Sequence, residues 1–269
     1  MAFFTMKLQS QTLASPTTVR LFLPCDLENN PPVRGVITLL HGFTNDGDDW
    51  VNKSAALRYA RENSLALIIP DAANSFYNDM AAGPAYYTWL TEELPMLLRR
   101  MVNLPAEREK NAVCGLSMGG YGALLLGLSK PERYFACASF SGVVHLGMML
   151  QVKHNPLVQQ VFSPVFGLSL SLPENRDIFR LAERAAALPE ALRPRILCTS
   201  GKQDIEPYYV YNQNIALAEH MADLPLDFEF RAWDGLHEWS VWDRSLALAI
   251  DRFFVPGYAD KVKAAWTAE

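Results

Sequence analysis

Hydrophobic positions along the chain form two kinds of pattern. Short, continuous apolar runs predict β-strands, whereas apolar residues that recur every three to four positions predict helices. The runs that predict strands lie at residues 3–9, 17–23, 35–41, 65–70, 111–116, 135–140, 195–200 and 226–232. The stretches that predict helices lie at residues 50–63, 86–102, 118–130, 207–221 and 237–254.

Strands and helices alternate through most of the chain, and this order is typical of an α/β fold. It predicts an eight-stranded, mostly parallel sheet with helices on both faces. The first two strands follow each other without a helix, so we expect them to form an antiparallel hairpin at one edge. Pro95 falls inside a helical pattern, where a missing N–H should kink the helix.

Between about residues 142 and 194 the pattern loosens. Apolar and aromatic residues such as Met148, Phe162 and Phe166 occur there without a clear strand, and His145 and His154 accompany them. We interpret this segment as an insertion over the carboxyl edge of the sheet, above the active site. The chain has 269 residues, half of them apolar, and no linker rich in Pro, Gly or Ser. It is therefore predicted to be one domain spanning residues 1–269.

Charge and hydropathy exclude several classes of partner. The net charge is −5 with a pI near 5.6, and the basic residues are scattered, so a nucleic-acid partner is not expected. No apolar run approaches the roughly 20 residues that a membrane span requires. The first residues lack the charged and apolar regions of a secretory signal, which predicts a cytoplasmic location.

The cysteines and histidines do not have the spacing of a metal site. Cys25, Cys114, Cys137 and Cys198 are far apart and form no Cys-x-x-Cys pair, so we interpret them as buried thiols. No His-x-x-x-His pair is present either. No metal and no cofactor is predicted.

The strongest chemical signal is Gly115-Leu116-Ser117-Met118-Gly119, between an apolar strand and a helix that begins with small residues. In this strand–turn–helix context, G-x-S-x-G is typical of a nucleophile elbow, where small residues flank a serine with a strained backbone. Ser117 is therefore the predicted nucleophile.

A serine hydroxyl needs a base that takes its proton and an acid that orients the base. His237 follows the last predicted strand and is the candidate base. Asp204 lies in the turn after the preceding strand and is the candidate acid, because the chain order Ser, acid, His is that of α/β-hydrolases. Glu206 and Asp234 stay as alternative acids.

A tetrahedral intermediate also needs N–H donors for its oxyanion. The backbone N–H of Met118, directly after the nucleophile, is one candidate. The second is the N–H of Phe43, in the loop His41-Gly42-Phe43-Thr44-Asn45 after the third strand. We expect the ring of His41 to brace this loop. Aromatic residues predicted near the mouth are expected either to line the site or to belong to the core: Trp50, Phe76, Tyr77, Tyr86, Tyr87, Trp89, Trp239 and Trp242.

The sequence resembles the tributyrin-esterase branch of the esterase D and S-formylglutathione hydrolase family, within the α/β-hydrolases. The resemblance covers nearly the whole chain. It rests on Leu39-Leu40-His41-Gly42 with Trp50, Tyr86-Tyr87-Thr88 running to Glu92-Glu93-Leu94-Pro95, Gly115 to Gly122, Ala138-Ser139-Phe140-Ser141-Gly142, Gly201-x-x-Asp204, and His237-Glu238-Trp239 with Trp242. It places the triad on Ser117, Asp204 and His237.

The resemblance implies a serine carboxylesterase that acts on short-chain acyl esters through an acyl-enzyme on Ser117. A feruloyl-type esterase and a thioesterase or acyltransferase, such as S-formylglutathione hydrolase, stay as alternatives. S-formylglutathione hydrolases carry Leu-Thr-Cys after His-Gly, where this chain has Phe43-Thr44-Asn45, and a histidine where it has Tyr121. The partner is expected to be a small-molecule ester, and a homo-oligomer is compatible with the resemblance.

Overall fold

The computed structural model describes residues 1–25, 32–151 and 156–266. Its strands are β1 Ala2–Ser10, β2 Ser15–Leu23, β3 Gly35–Leu40, β4 Leu65–Pro70, β5 Asn111–Leu116, β6 Ala136–Phe140, β7 Arg195–Gly201 and β8 Phe228–Trp233. Its helices are α1 Asp48–Asn52, α2 Ala56–Glu62, α3 Tyr86–Thr88, α4 Leu94–Met101, α5 Met118–Ser129, α6 Leu146–Gln151, α7 Pro156–Phe166, α8 Ile178–Ala186, α9 Val210–Ala222, α10 Trp239–Phe253 and α11 Tyr258–Trp266.

The strands form one sheet in the order β1-β2-β4-β3-β5-β6-β7-β8. β1 pairs antiparallel with β2, and β2 pairs antiparallel with β4, while every pair from β4 to β8 is parallel. The prediction of an eight-stranded, mostly parallel sheet with an edge hairpin is therefore confirmed. Because β3 lies between β4 and β5, the loops after β3 and β5 diverge at the carboxyl edge, which is where open α/β sheets bind ligands.

Helices cover both faces of the sheet and bury two apolar layers. One layer contains α5, α8 and α9, and the other contains α1, α2, α10 and α11. The central strands β3, β4, β5 and β6 are buried along almost their whole length, as expected for parallel strands covered on both sides. The core therefore holds the strand ends in place, and the loops that follow them carry the polar side chains.

The helix predicted over residues 50–63 is wrong as a single element, because the chain forms α1 and α2 with a break between them. The Ser54 hydroxyl donates to the Trp50 carbonyl at 2.6 Å, which removes an acceptor from the helical ladder. The N–H of Ala55 donates to Asp243 Oδ1 at 2.7 Å, so a carboxylate from α10 caps the start of the second helix. Tertiary contacts thus produce a break that the apolar period does not show.

The predicted disturbance at Pro95 takes the form of a π-helical turn, Trp89–Glu93, between α3 and α4. Pro95 has no N–H to donate to the carbonyl of Thr91, four residues earlier. The guanidinium of Arg133 donates to that carbonyl instead. The chain therefore continues as a helix through the proline because a side chain from another element satisfies the free acceptor.

The segment at residues 142–194 contains helices α6, α7 and α8 and no strand within its described part. Residues 152–155, which include His154, lie outside the described residues. The segment is joined to the loop after β4 by two backbone hydrogen bonds, from the N–H of Ala81 to Val165 O and from the N–H of Ala82 to Pro164 O. Its position above the active site stays a prediction. The helices α6, α7, α8 and α11 are not among the predicted elements.

The interpretation of all four cysteines as buried thiols is right for three of them. Cys114, Cys137 and Cys198 lie inside strands, and burial raises the pKa of each thiol, that of Cys137 to about 12. Cys25 is exposed, because β2 ends at Leu23. None of the helices in the described part of the chain is both long enough and apolar enough to cross a bilayer.

Candidate active site

Ser117 occupies the turn between β5 and α5 with a backbone that side chains rarely adopt, at φ 54° and ψ −116°. Its N–H donates to Phe140 O at 2.9 Å, which ties the turn to β6. Gly119 allows this turn because a Cβ on it would lie 2.4 Å from Leu40 O and 2.6 Å from His41 O. The turn therefore has the geometry of a nucleophile elbow, with its strain held by the neighbouring strands.

The structure brings the three predicted triad side chains together in one line of hydrogen bonds. Ser117 Oγ lies 2.9 Å from His237 Nε2, and His237 Nδ1 lies 2.7 Å from Asp204 Oδ2. Asp204 accepts through its carboxylate, so Nδ1 carries a proton and Nε2 is left to accept from the serine hydroxyl. Asp204 and Ser117 are 4% and 8% exposed, while the side chain of His237 is 32% exposed. The line therefore joins a buried carboxylate to a buried hydroxyl through a partly exposed imidazole.

The loops that carry Asp204 and His237 are clasped to each other by Gln203, a residue that the sequence did not single out. The N–H of Gln203 donates to Gly235 O at 3.1 Å, and the N–H of Gly235 donates to Gln203 Oε1 at 2.7 Å. Gly201 lets the loops approach, since a Cβ there would lie 2.2 Å from Gly235 O. The acid and the base are thus positioned by one shared set of backbone contacts.

The two alternative acids lie elsewhere. The side chain of Asp234 is 84% exposed and its nearest cation is Lys202 at 3.9 Å. Glu206 is exposed and accepts from the hydroxyl of Tyr209 at 3.2 Å. In the described part of the chain, neither carboxylate contacts His237. Of the three acids considered, only Asp204 has the position that the chemistry requires.

The predicted oxyanion donors flank the elbow. Met118 is the first residue of α5, where helix N–H groups lack intrahelical partners. The loop of Phe43 abuts the elbow, because a Cβ on Gly42 would lie 3.6 Å from Ser117 Cβ. Within residues 1–25, 32–151 and 156–266, neither the N–H of Phe43 nor that of Met118 has an acceptor. Both amides are available to an oxygen next to Ser117.

His41 braces the Phe43 loop and does not contact the triad. Its Nε2 accepts from the N–H of Ala72 at 2.9 Å, which requires Nδ1 to carry the proton and to donate to Gly42 O at 2.8 Å. The ring is fully buried, and burial lowers the pKa of His41. The hydroxyl of Tyr77 donates to the His41 carbonyl at 2.7 Å. A neutral ring thus joins the ends of β3 and β4.

A buried arginine on β2, Arg20, is linked by hydrogen bonds to the end of the loop that carries Phe43. Arg20 donates to Asp48 Oδ1 at 2.8 Å and pairs with Asp71, whose carboxylate also accepts from the N–H of Gly47 at 2.9 Å. Sequence reasoning missed this cluster. A charged residue between apolar positions of β2, with aspartates near two other strand ends, was the available signal.

Tryptophan rings pack against His237 and against one another. The ring of Trp242 meets the imidazole nearly perpendicularly at 5.0 Å, and Trp239 packs on Trp242 at 5.3 Å. Trp50 packs on Trp239 at 5.3 Å and donates to Leu40 O at 3.0 Å. Of the aromatic residues expected near the mouth, Trp50, Tyr77 and Trp89 are fully buried and belong to the core.

The other two histidines in the described part of the chain, His145 and His220, form no hydrogen bond with the triad. Both pack on the ring of Phe179, with ring centroids 4.7 Å and 5.1 Å apart. Among the described residues, no group of three or more His, Cys, Asp and Glu side chains is arranged to hold a metal ion.

A family model supports the chemistry that this geometry suggests. The model described as "Putative esterase" matches residues 10–253. The chain belongs to this esterase family. It is a carboxylic ester hydrolase of the serine type, and the predicted membership of the esterase D and S-formylglutathione hydrolase group is confirmed.

Two individual relatives match nearly the whole chain and about half of it, respectively. An acetyl esterase of Caldicellulosiruptor saccharolyticus is 25% identical over 264 residues, which are 93% of this chain and 97% of the relative. An S-formylglutathione hydrolase of Paracoccus denitrificans is 30% identical over 159 residues, and the match spans 51% of this chain and 56% of that relative. The tributyrin branch itself stays a prediction.

Solved structures confirm the α/β-hydrolase fold. The fluorophosphonate-binding serine hydrolase F of Staphylococcus aureus has a TM-score of 0.80 at 25% identity, covering 94% of this chain and 98% of its own. A ferulic acid esterase has a TM-score of 0.76 at 21% identity, and the match covers 94% of this chain and 97% of that protein's chain. The second likeness is one of fold alone.

Proposed function

We propose that this esterase hydrolyses short-chain acyl esters through an acyl-enzyme on Ser117, with His237 as the base and Asp204 as the acid that orients it. The observation that carries the proposal is the line of contacts at 2.9 Å and 2.7 Å that joins the three side chains. Both distances lie within the range over which a proton can be transferred.

In the first step Ser117 Oγ attacks the ester carbonyl and its proton passes to His237 Nε2. The carbonyl π electrons move to the oxygen, and the N–H groups of Phe43 and Met118 stabilise this oxyanion. When the tetrahedral intermediate collapses, the bond to the alkoxy group breaks and His237 gives its proton to the leaving alcohol. Asp204 stays ionised and stabilises the imidazolium.

In the second step water attacks the acyl-enzyme by the same route. His237 removes a proton from the water, the oxyanion is bound by the same donors, and Ser117 leaves as a hydroxyl after taking the proton back. The products are one alcohol and one carboxylic acid. The chain's own side chains carry out each of these proton transfers.

One observation favours short-chain esters over a glutathione thioester. The acetyl esterase relative covers nearly the whole chain, whereas the match to the S-formylglutathione hydrolase covers about half.

The test compares the wild type with Ser117→Ala on p-nitrophenyl acetate, butyrate and octanoate. We expect the variant to lose at least roughly 10³-fold in kcat/KM, because the oxyanion donors and binding alone leave little of the rate enhancement. Ser141→Ala is the matched control, since Ser141 is also buried with a positive φ and its hydroxyl has no partner in the described structure. Equal loss in both variants would contradict the assignment.

A thioesterase stays the second candidate because its first step is identical. Paired oxygen and sulfur esters with the same acyl group distinguish the two activities. A preference for the acetyl thioester of glutathione over p-nitrophenyl acetate would replace the ester proposal with the thioesterase one.

A further inference from the structure

A chain of aromatic rings runs from the Phe43 loop to the helix α7. The rings of Phe43 and Phe76 lie 6.2 Å apart, and Phe76 packs on Phe162 at 4.9 Å. Phe76 also meets Tyr121 of the elbow helix α5 at 6.2 Å. These separations fall in the range of favourable aromatic contacts. These rings come from four different parts of the chain, and two of those parts, the Phe43 loop and the helix α5, adjoin Ser117.

The rings behind Phe43 are more deeply buried than Phe43 itself. Phe76 and Phe162 are each 4% exposed and Tyr121 is fully buried, whereas Phe43 is only half-buried. Phe43 follows Gly42, which abuts Ser117, and its ring is the most exposed of the four. Phe43, with Phe76, Phe162 and Tyr121 behind it, forms an aromatic surface that a group bound at Ser117 would meet first at Phe43.

The position of Phe76 is imposed by its surroundings. Phe76 and Tyr77 follow each other with φ of 49° and 56°, a conformation that disfavours residues with a Cβ. Three hydrogen bonds hold this turn: from Asn78 Nδ2 to Phe76 O at 2.6 Å, from the N–H of Tyr77 to Ser75 Oγ at 3.0 Å, and from the Tyr77 hydroxyl to His41 O. Such strain persists where the structure needs a side chain at one place.

We infer that Phe76 and Phe162, acting behind Phe43, set the acyl-chain length that this esterase accepts. The inference rests on the proposed function and names the residues responsible for it. Acetyl and butyryl groups end before the aromatic surface, and longer chains collide with it. Replacing either buried ring by a smaller side chain opens space that is continuous with the Phe43 side of the site.

The experiment measures kcat/KM of the wild type, Phe76→Leu and Phe162→Leu on p-nitrophenyl acetate, butyrate, hexanoate and octanoate. For the wild type we expect a decline beyond butyrate. In both variants we expect the octanoate-to-acetate ratio to rise by roughly 10-fold or more, since one or two methylenes in an apolar pocket change rates by about that factor. The ratio cancels any loss of folded protein.

Phe253→Leu is the matched control. Phe253 is 7% exposed and packs on Phe135 at 6.2 Å, in the layer of α10 on the opposite face of the sheet. Its replacement removes a buried ring without touching the aromatic surface, so the ratio should stay at the wild-type value. If Phe76→Leu fails to fold, Phe43→Leu provides a further variant, because Phe43 is half-buried and its backbone N–H is retained.

A wild type that prefers octanoate, or variants whose ratio stays equal to that of Phe253→Leu, would overturn the inference. Loss of all ester hydrolysis in the wild type would instead remove the proposed function itself. The two failures are distinguishable, because only the first leaves an active enzyme.

Discussion

Gln203 and Gly235 exchange two hydrogen bonds, one between their backbones at 3.1 Å and one from the Gly235 N–H to the Gln203 side chain at 2.7 Å. Gln203 precedes Asp204, and Gly235 lies two residues before His237. The distance between acid and base thus depends on a side chain that touches neither.

We predict that Gln203→Met lowers kcat by about 10-fold and leaves KM nearly unchanged. Methionine fills the same volume but cannot accept from the Gly235 N–H, and a small displacement of a catalytic group reduces rates by up to about 10²-fold. Gln203→Glu keeps an acceptor oxygen and should recover most of the rate. Lys202→Ala serves as the control, since its ion pair to Asp234 is long and exposed. Steady-state kinetics on p-nitrophenyl butyrate check this, and a Gln203→Met variant as active as Lys202→Ala would contradict it.

Replacing the predicted acid, Asp204, should be far more damaging than replacing Asp234, the alternative acid that lies three residues before His237 in the sequence. Asp204→Asn keeps the side-chain shape, but its amide N–H can donate to Nδ1, and this favours the tautomer of His237 that carries its proton on Nε2. We expect a loss of about 10⁴-fold in kcat. Asp234→Asn, on a side chain that is 84% exposed, should change kcat less than about 2-fold. Comparable losses in both variants would mean that the acid is misassigned.

Glu93 should stabilise the fold through the edge hairpin. Burial alone would raise its pKa, but hydrogen bonds from Ser10, Gln11 and Thr12 lower the pKa of Glu93 to about 2. Because the folded-state pKa is lower than the ordinary value of 4.5, this stabilisation is complete above pH 4.5 and is lost as pH falls toward 2.

Glu93→Gln should therefore lower the free energy of unfolding by about 1–2 kcal/mol at pH 7. The difference from wild type should narrow as pH falls from 4.5 toward 2. Glu92 is the control, because its side chain is exposed and pairs with Lys130. Glu92→Gln should change the free energy of unfolding by less than about 1 kcal/mol. Urea denaturation at pH 7 and pH 3.5 measures both effects. A difference that stays constant between these pH values would show that the Glu93 charge does not contribute.

His41 should make the fold sensitive to mild acid. Burial lowers the pKa of His41 below its ordinary value of 6.5, so the unfolded chain takes up a proton at this site before the folded chain does. Stability is therefore lost as pH falls below about 6.5. We expect His41→Gln to have a lower Tm at pH 7.5 and a shallower fall in Tm between pH 6.5 and 5. Thermal unfolding across this range checks the slope, and an unchanged slope would show that His41 titrates equally in both states.

Local sequence determines much of this architecture. The strands β3 to β7 could be predicted because a parallel strand covered on both faces must be apolar along its length, and the elbow could be predicted because Ser117 needs small neighbours. The spacing of strand ends also brought Asp204 and His237 into consideration. Each of these signals lies within a short window of sequence. The parallel sheet then places the ends of its strands, and the residues that follow them, close together.

The features that could not be predicted depend on contacts between distant segments. The break between α1 and α2 requires Asp243, which is 188 residues from Ala55. The hold of Arg20 on the Phe43 loop requires Asp71, 51 residues away. The aromatic surface joins Phe43, Phe76 and Phe162, whose spacing in sequence has no period. A hydrophobic pattern within a short window of sequence cannot show which distant residue will bond to, or pack on, a given side chain.

The absent Cβ of Gly119 fixes a dimension of this enzyme. Because even a methyl group there would overlap the carbonyl oxygens of Leu40 and His41, α5 and the end of β3 are closer than any other residue would permit. The separation between the attacking serine and the Phe43 amide is therefore a property of the main chain. Substitutions of the aromatic side chains around the site can change substrate preference without altering this main-chain separation. A substitution of Gly119 would force the two main-chain segments apart, so selection on specificity acts on the side chains.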